Sequence, residues 1–175
     1  MFSPPDFVRR LVDSNIAEEQ TIIPCTGDEV ALLEDSVKLR LPPHYKSFLL
    51  TAGKCAGALL LDCDWLYPEL KSLTDQSRAM LRGYEGSNLL MPDTAFVCLD
   101  RREQFFFFDT TTEGCKLFSY FEEDGKFTEL PSTFFEFLEE ELQSFEAQVR
   151  AAPESPYWER FRATARERAK RLQVK

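Results

Sequence analysis

Histidine occurs once, at His44, and that scarcity removes much of the usual catalytic repertoire. A lone imidazole permits no His–His pair, and the chain carries no H-E-x-x-H, G-x-S-x-G, P-loop or G-x-G-x-x-G pattern. Cysteine is sparse and unpatterned. Cys25, Cys55, Cys63, Cys98 and Cys115 include no C-x-x-C pair, and none has a histidine or second cysteine at metal-ligand spacing. No metal and no cofactor are therefore expected. Long apolar runs are missing too. Segments such as Ala58-Leu59-Leu60-Leu61 and Phe105 to Phe108 are far shorter than the ~20 residues of a membrane-spanning helix. The opening Met1-Phe2-Ser3-Pro4-Pro5-Asp6 has neither the basic n-region nor the apolar stretch of an export signal. The expected setting is a reducing cytoplasm, with the five thiols acting as small buried hydrophobes.

What the chain has in plenty is phenylalanine, sixteen residues in 175, beside five tyrosines and two tryptophans. So many rings need a packed interior. The 43% hydrophobic and 29% charged content is that of a globular protein, which excludes wholesale disorder. The length suits one domain with an appendage. Net charge is −9 but uneven: residues 153–175 carry seven basic and three acidic side chains, a local +4, which leaves −13 on the rest. An acidic body repels phosphate backbones and acidic membranes, so neither nucleic acid nor membrane is an expected partner, whereas a basic protein is.

Along the chain, Pro4-Pro5-Asp6 opens a short helix, and residues 15–24 read as a connection. Thr26-Gly27-Asp28-Glu29 forms a capping box for a helix to about Val37. Pro43 opens the next helix, with Tyr45, Phe48, Leu49 and Ala52 inward and Gly53 as its C-terminal stop. Residues 58–67 read as a strand, and a helix follows from about Pro68 to Leu81, broken by Gly83 and Gly86. Thr94–Asp100 and Gln104–Asp109 read as strands around the polar turn Arg101-Arg102-Glu103. Four consecutive phenylalanines in the second strand imply burial on both faces, hence a central position. Cys115–Glu122 and Lys126–Leu130 form a hairpin about Glu123-Asp124-Gly125. Phe134, Leu138, Leu142, Phe145 and Val149 make one stripe of a helix capped by Thr133. A last helix runs from Pro156 to about Leu172. The expected class is α+β, a mainly antiparallel sheet with helices packed on it. The expected division is one domain over 1–152 and a basic helical extension over 153–175. That helix is expected to dock on the chain's own acids, for instance near Glu139–Glu141, through Trp158 and Phe161.

Three segments carry a resemblance. Leu41-Pro42-Pro43-His44-Tyr45-Lys46-Ser47-Phe48-Leu49 resembles the "LPxxYxxFL" helix start of the SUKH superfamily. Phe105-Phe106-Phe107-Phe108-Asp109 resembles that group's apolar strand closed by Asp, and Thr133-Phe134-Phe135-Glu136-Phe137-Leu138 its "SFxxFL" final-helix start. Order and spacing agree over residues 26–142. One departure is Gly53-Lys54, where the group often has Gly-Gly. The superfamily includes the fungal cell-wall synthesis regulator and many bacterial immunity proteins. The resemblance implies a SUKH-like fold and a protein-binding role without catalysis, in which the chain binds and neutralises a toxin, often a nuclease.

The residues themselves name a candidate surface. Asp62 and Asp64 lie two apart on one expected strand face, and Glu122, Glu123 and Asp124 sit in the hairpin turn. With Trp65 and Tyr67 they would join carboxylates to aromatic anchors, a mixture that suits a protein interface. The alternatives are that both aromatics are core and the acids only solubilise, that the chain is a regulatory scaffold with no toxin partner, or that Asp62 and Asp64 serve a small carboxylate enzyme. The flanking carboxylates of Asp62-Cys63-Asp64 disfavour a thiolate, which argues against Cys63 as a nucleophile.

Overall fold

A computed structural model describes residues 3–83 and 89–173. Gly86, expected with Gly83 to end a helix, lies outside them. The elements in chain order are α1 (Pro4–Asp13), a 3-10 turn (Glu19–Thr21), β1 (Ile22–Ile23), α2 (Gly27–Val37), α3 (Pro43–Ala52), β2 (Cys55–Ala56) and α4 (Leu70–Gly83). Then come β3 (Ala95–Asp100), β4 (Gln104–Asp109), β5 (Lys116–Phe121), β6 (Lys126–Thr133), α5 (Phe134–Ala151) and α6 (Pro156–Gln173). Both sheets are antiparallel, a two-stranded ribbon β1-β2 and a four-stranded sheet in the order β3-β4-β5-β6. This is the expected α+β class. Among the described residues no helix is long and apolar enough to cross a membrane.

The contacts divide the chain into two units. The first comprises the residues up to Gly27, Ser47–Leu61, and Phe135 onward. Phe7 of α1 meets Phe48 of α3 edge-on, with ring centroids 6.2 Å apart, and Leu11, Leu49, Leu138 and Leu142 are fully buried. Arg10 of α1 reaches α5, where its guanidinium donates from Nε and Nη2 to Glu146 at 3.1 and 3.0 Å and from Nη1 to Glu139. Such fork geometry suits arginine and carboxylate. Helix α6 packs on the 3-10 turn and on the β1-β2 ribbon. Arg166 pairs with Glu18 at 3.1 Å and with Glu159, and Arg162 donates to the Asn15 carbonyl at 3.2 Å. The last helix therefore does dock on an acid of its own chain, Glu18, through Arg166. Trp158 is buried, 5.9 Å from Phe145, while Phe161 is half-buried. Trp158→Ala should lower the unfolding free energy by about 3 kcal/mol, the lower range for losing a buried large aromatic. Urea titration checks this, and an unchanged midpoint would mean that α6 hangs free.

The second unit comprises Asp28–Lys46 and Asp62–Phe134 and holds the four-stranded sheet. Phe105 to Phe108 are all buried, and β4 lies between β3 and β5, as four consecutive rings predict. Tyr45, at the start of α3, places its ring 5.4, 5.1 and 5.1 Å from those of Phe96, Phe108 and Phe134. The segment before α3 is pinned by the buried Glu34, whose carboxylate accepts the Leu41 amide at 2.7 Å and lies 3.4 Å from Lys46 Nζ. Helix α4 packs on β3, where its Thr74 hydroxyl accepts the Val97 amide, 3.1 Å away, at a register shift in that strand.

Three expectations need correction. Residues 58–67 are not a strand but a series of turns, and only Asp64 forms a bridge, to Asp100. Positive φ at Gly57 (65°) and Leu60 (49°) turns the chain, and burial of Leu59 and Leu60 accounts for the apolar run without a sheet. Residues 15–24 are not a plain connection, because they hold a 3-10 turn and β1. Gly53 does not adopt the left-handed helix stop. A Cβ there would lie 2.5 Å from the Leu49 carbonyl and 2.7 Å from Cys25 Sγ, so close packing is what requires glycine.

Candidate protein-binding site

Two turns and one stray bridge build the end of the four-stranded sheet. The first turn joins β3 to β4, where the Arg101 amide donates to the Gln104 carbonyl at 2.7 Å. Arg102 has φ of 69°, and its amide donates to Asp100 Oδ1 at 2.7 Å. A short carboxylate beside a left-handed residue is a common solution for such a turn. The second turn joins β5 to β6. There the amides of Asp124 and Gly125 both donate to the Phe121 carbonyl at 3.1 Å, and Gly125 supplies a φ of 58°. The Glu122 amide donates to the Glu103 carbonyl at 3.0 Å, which fastens the second turn to the first.

The bridge brings in the remaining acids. The Asp64 amide donates to the Asp100 carbonyl at 3.0 Å, and the Asp100 amide returns a bond to the Asp64 carbonyl at 2.8 Å. Residues 62–64 thus lie against the end of β3 like one more rung. Exposure alternates along them, with Asp62 and Asp64 exposed and Cys63 and Trp65 buried. Arg101 holds the rung from the other side. Its Nε donates to Cys63 Sγ at 3.3 Å, and its guanidinium carbon stands 5.8 Å from the Phe106 ring centroid.

The structure thus links Asp62, Asp64, Asp100, Glu103, Glu122, Glu123 and Asp124 along one end of the sheet through backbone bonds. It does not bring Trp65 and Tyr67 to the surface beside them. Trp65 is 1% exposed and Tyr67 9% exposed, so both anchor the segment from within. His44 is exposed in the first turn of α3. Sequence reasoning treats Arg101-Arg102-Glu103 only as a polar turn and passes over Asp100. The dipeptide Arg-Arg between two strand patterns marks the turn, but nothing local places it beside Asp64.

Electrostatics follow from this packing. Burial raises the Asp100 carboxyl above its ordinary value, the Arg102 amide opposes, and the nearby Asp64 charge adds to the rise. Burial also pushes the Cys63 thiol to about 11, against the Arg101 guanidinium and with a smaller push from Asp62. Burial lifts Cys115 to about 12. At neutral pH these thiols stay protonated and make poor nucleophiles. All five cysteines are buried, and no disulfide forms among the described residues.

The raised Asp100 value has a consequence for stability. A group whose folded pKa exceeds its unfolded pKa favours folding only while protonated, so its contribution is lost as pH rises through the folded value. Asp100→Asn keeps an acceptor for the Arg102 amide and removes the charge. It should raise the melting temperature at pH 7 by about 1–2 °C, the shift expected for a few tenths of a kcal/mol. At pH 3 the gain should disappear. A gain of equal size at both pH values would assign it to packing instead of charge.

The model of the SMI1 / KNR4 family (SUKH-1) matches residues 24–140. The match spans the sheet, both turns and the Asp64 bridge, and leaves α6 outside. No curated protein matches the chain.

Proposed function

The chain belongs to the SMI1 / KNR4 family (SUKH-1), and from that premise we propose that it is a protein-binding module that acts without catalysis. In this reading it is an immunity-type protein of the cytoplasm that binds and neutralises a basic toxin domain, a nuclease being the chemistry that fits best. The observation that carries the reading is the row of carboxylates at one end of the four-stranded sheet, from Asp62 and Asp64 through Asp100 and Glu103 to Glu122–Asp124. Nuclease domains are basic because they hold phosphates. An acidic inhibitor matches that surface and meets it quickly, since long-range attraction raises the encounter rate. The net charge of −9 adds a favourable field at longer range.

The direct test is genetic and biochemical together. The product of the adjoining open reading frame is expressed alone, then with this chain. The reading expects growth arrest in the first case, recovery in the second and a stoichiometric complex on size exclusion. A harmless neighbour that forms no complex would favour the regulatory scaffold, a module of the same fold with no toxin partner.

A further inference from the structure

The alternation along β5 and β6 assembles a second feature on the same unit. Register pairs Phe105 with Tyr120, Phe107 with Phe118, Tyr120 with Phe127 and Phe118 with Glu129, which puts these side chains on one face of the sheet. The rings form a connected group. Centroids lie 5.1 Å apart for Phe105–Tyr120, 5.4 Å for Phe107–Phe118 and 5.1 Å for Phe107–Phe127. Phe105, Phe107 and Tyr120 are buried, but Phe118 and Phe127, nearer the sheet's β6 edge, are only half-buried. Two partly wet rings are thus backed by three dry ones.

Carboxylates bracket the two rings. Glu129 stands opposite Phe118 and is 63% exposed, with Lys116 Nζ 3.7 Å from it. Glu122, Glu123 and Asp124 occupy the turn between the strands that carry the rings, and all three are exposed. A π-face edged with carboxylates suits a guanidinium, which stacks on the ring and donates in its plane. The protein already makes a guanidinium–ring contact internally, Arg101 over Phe106 at 5.8 Å. The β6 edge itself is a poor template for an added strand. Pro131 lacks an amide proton, Lys126 is exposed at the strand's start, and the register shifts between Lys116 and Phe118.

We propose that the Phe118–Phe127 face is a seat for arginine side chains of the basic partner protein, with Glu129 and the Glu122–Asp124 turn taking the guanidinium donors. This rests on the reading that the partner is a basic protein, and it adds which cation is preferred and where. Arginine is favoured over lysine because its planar group both stacks and forks to a carboxylate, whereas an ammonium is compact and strongly hydrated.

The test uses the full chain, with hexa-arginine and hexa-lysine peptides as probes, at low salt. Phenylalanine ring signals and backbone amides are followed by NMR. Hexa-arginine should shift the Phe118 and Phe127 rings and bind about five-fold more tightly than hexa-lysine, the size of one stacking contact. Phe127→Leu keeps apolar bulk and removes the π-face, so it should erase that preference while the amide spectrum stays folded. Glu129→Gln, a surface change, should weaken hexa-arginine binding even if Phe127→Leu fails to fold. Shifts confined to Asp62, Asp64 and the Glu122–Asp124 turn, with arginine and lysine equal, would overturn the aromatic seat and leave the acidic reading standing. No binding of either peptide would count against both.

Discussion

Phe108→Ala is expected to cost about 3–5 kcal/mol, the range for emptying a fully buried phenylalanine site. Phe108 has no exposed surface, and its ring lies 5.1 Å from Tyr45, 5.5 Å from Phe96 and 6.4 Å from Phe134. Those neighbours come from α3, β3 and the first residue of α5, so one truncation opens a void that three elements line. Aromatic neighbours fill such a void poorly, because rings cannot bend into it. A domain of this size has a total stability of about 5–15 kcal/mol, so the variant should sit close to unfolding at 37 °C. Phe118→Ala is the control. Its side chain is half-buried, and its loss should be about 1–2 kcal/mol. Chemical denaturation of both variants decides the point, and equal losses would mean that burial on β4 does not set the core.

The second large effect concerns association. Replacing Asp62, Asp64, Glu122, Glu123 and Asp124 together by lysine changes the local charge by ten units at one end of the sheet. All five side chains are exposed, so the fold should survive. If the acidic end meets a basic partner, association at low salt should slow by at least about ten-fold, since steering contributes one to three orders of magnitude to such rates. The wild-type rate should also fall as salt rises and the field is screened over about 10 Å. The variant should show little or reversed salt dependence. Stopped-flow mixing with the basic partner protein measures both. A wild-type rate indifferent to salt and to the reversal would remove electrostatic steering from the account.

Much of the fold is legible from local signals. The helix starts at Pro43 and Phe134 and the strand Gln104–Asp109 carry patterns that need only neighbouring residues: a proline for the first turn, an apolar stripe, four rings in a row. Asp109 shows why the strand ends there. Its carboxylate accepts the Thr111 hydroxyl at 2.6 Å and the Thr111 amide at 2.8 Å, and these bonds hold its pKa below the ordinary value. The ribbon β1-β2 is invisible because two-residue strands have no period to detect. The run Ala58–Leu61 misleads because burial alone selects apolar residues, and a buried turn reads like a buried strand.

The candidate site divides in the same way. The acids of the β5–β6 turn are readable from Asp124-Gly125, whose glycine adopts the expected positive φ. Joining them to Asp62 and Asp64 depends on the Asp64–Asp100 bridge and the Glu122–Glu103 bond, which connect residues distant in sequence. The inward position of Trp65 follows from the same bridge, which turns Asp62 and Asp64 outward and its neighbours in. Phe118 and Phe127 escape notice in a chain with sixteen phenylalanines, because only the register shows that two of them meet at a partly open face.

We propose that the acidic end of the four-stranded sheet is the surface that meets a basic protein partner. Hydrogen exchange of the backbone amides, with and without the partner bound, tests this most directly. Binding should slow exchange at 62–64, 100–104 and 121–126 and leave the exposed amides of α6 unchanged. Slowed exchange confined to α6 or α1, with the sheet end unaltered, would contradict it.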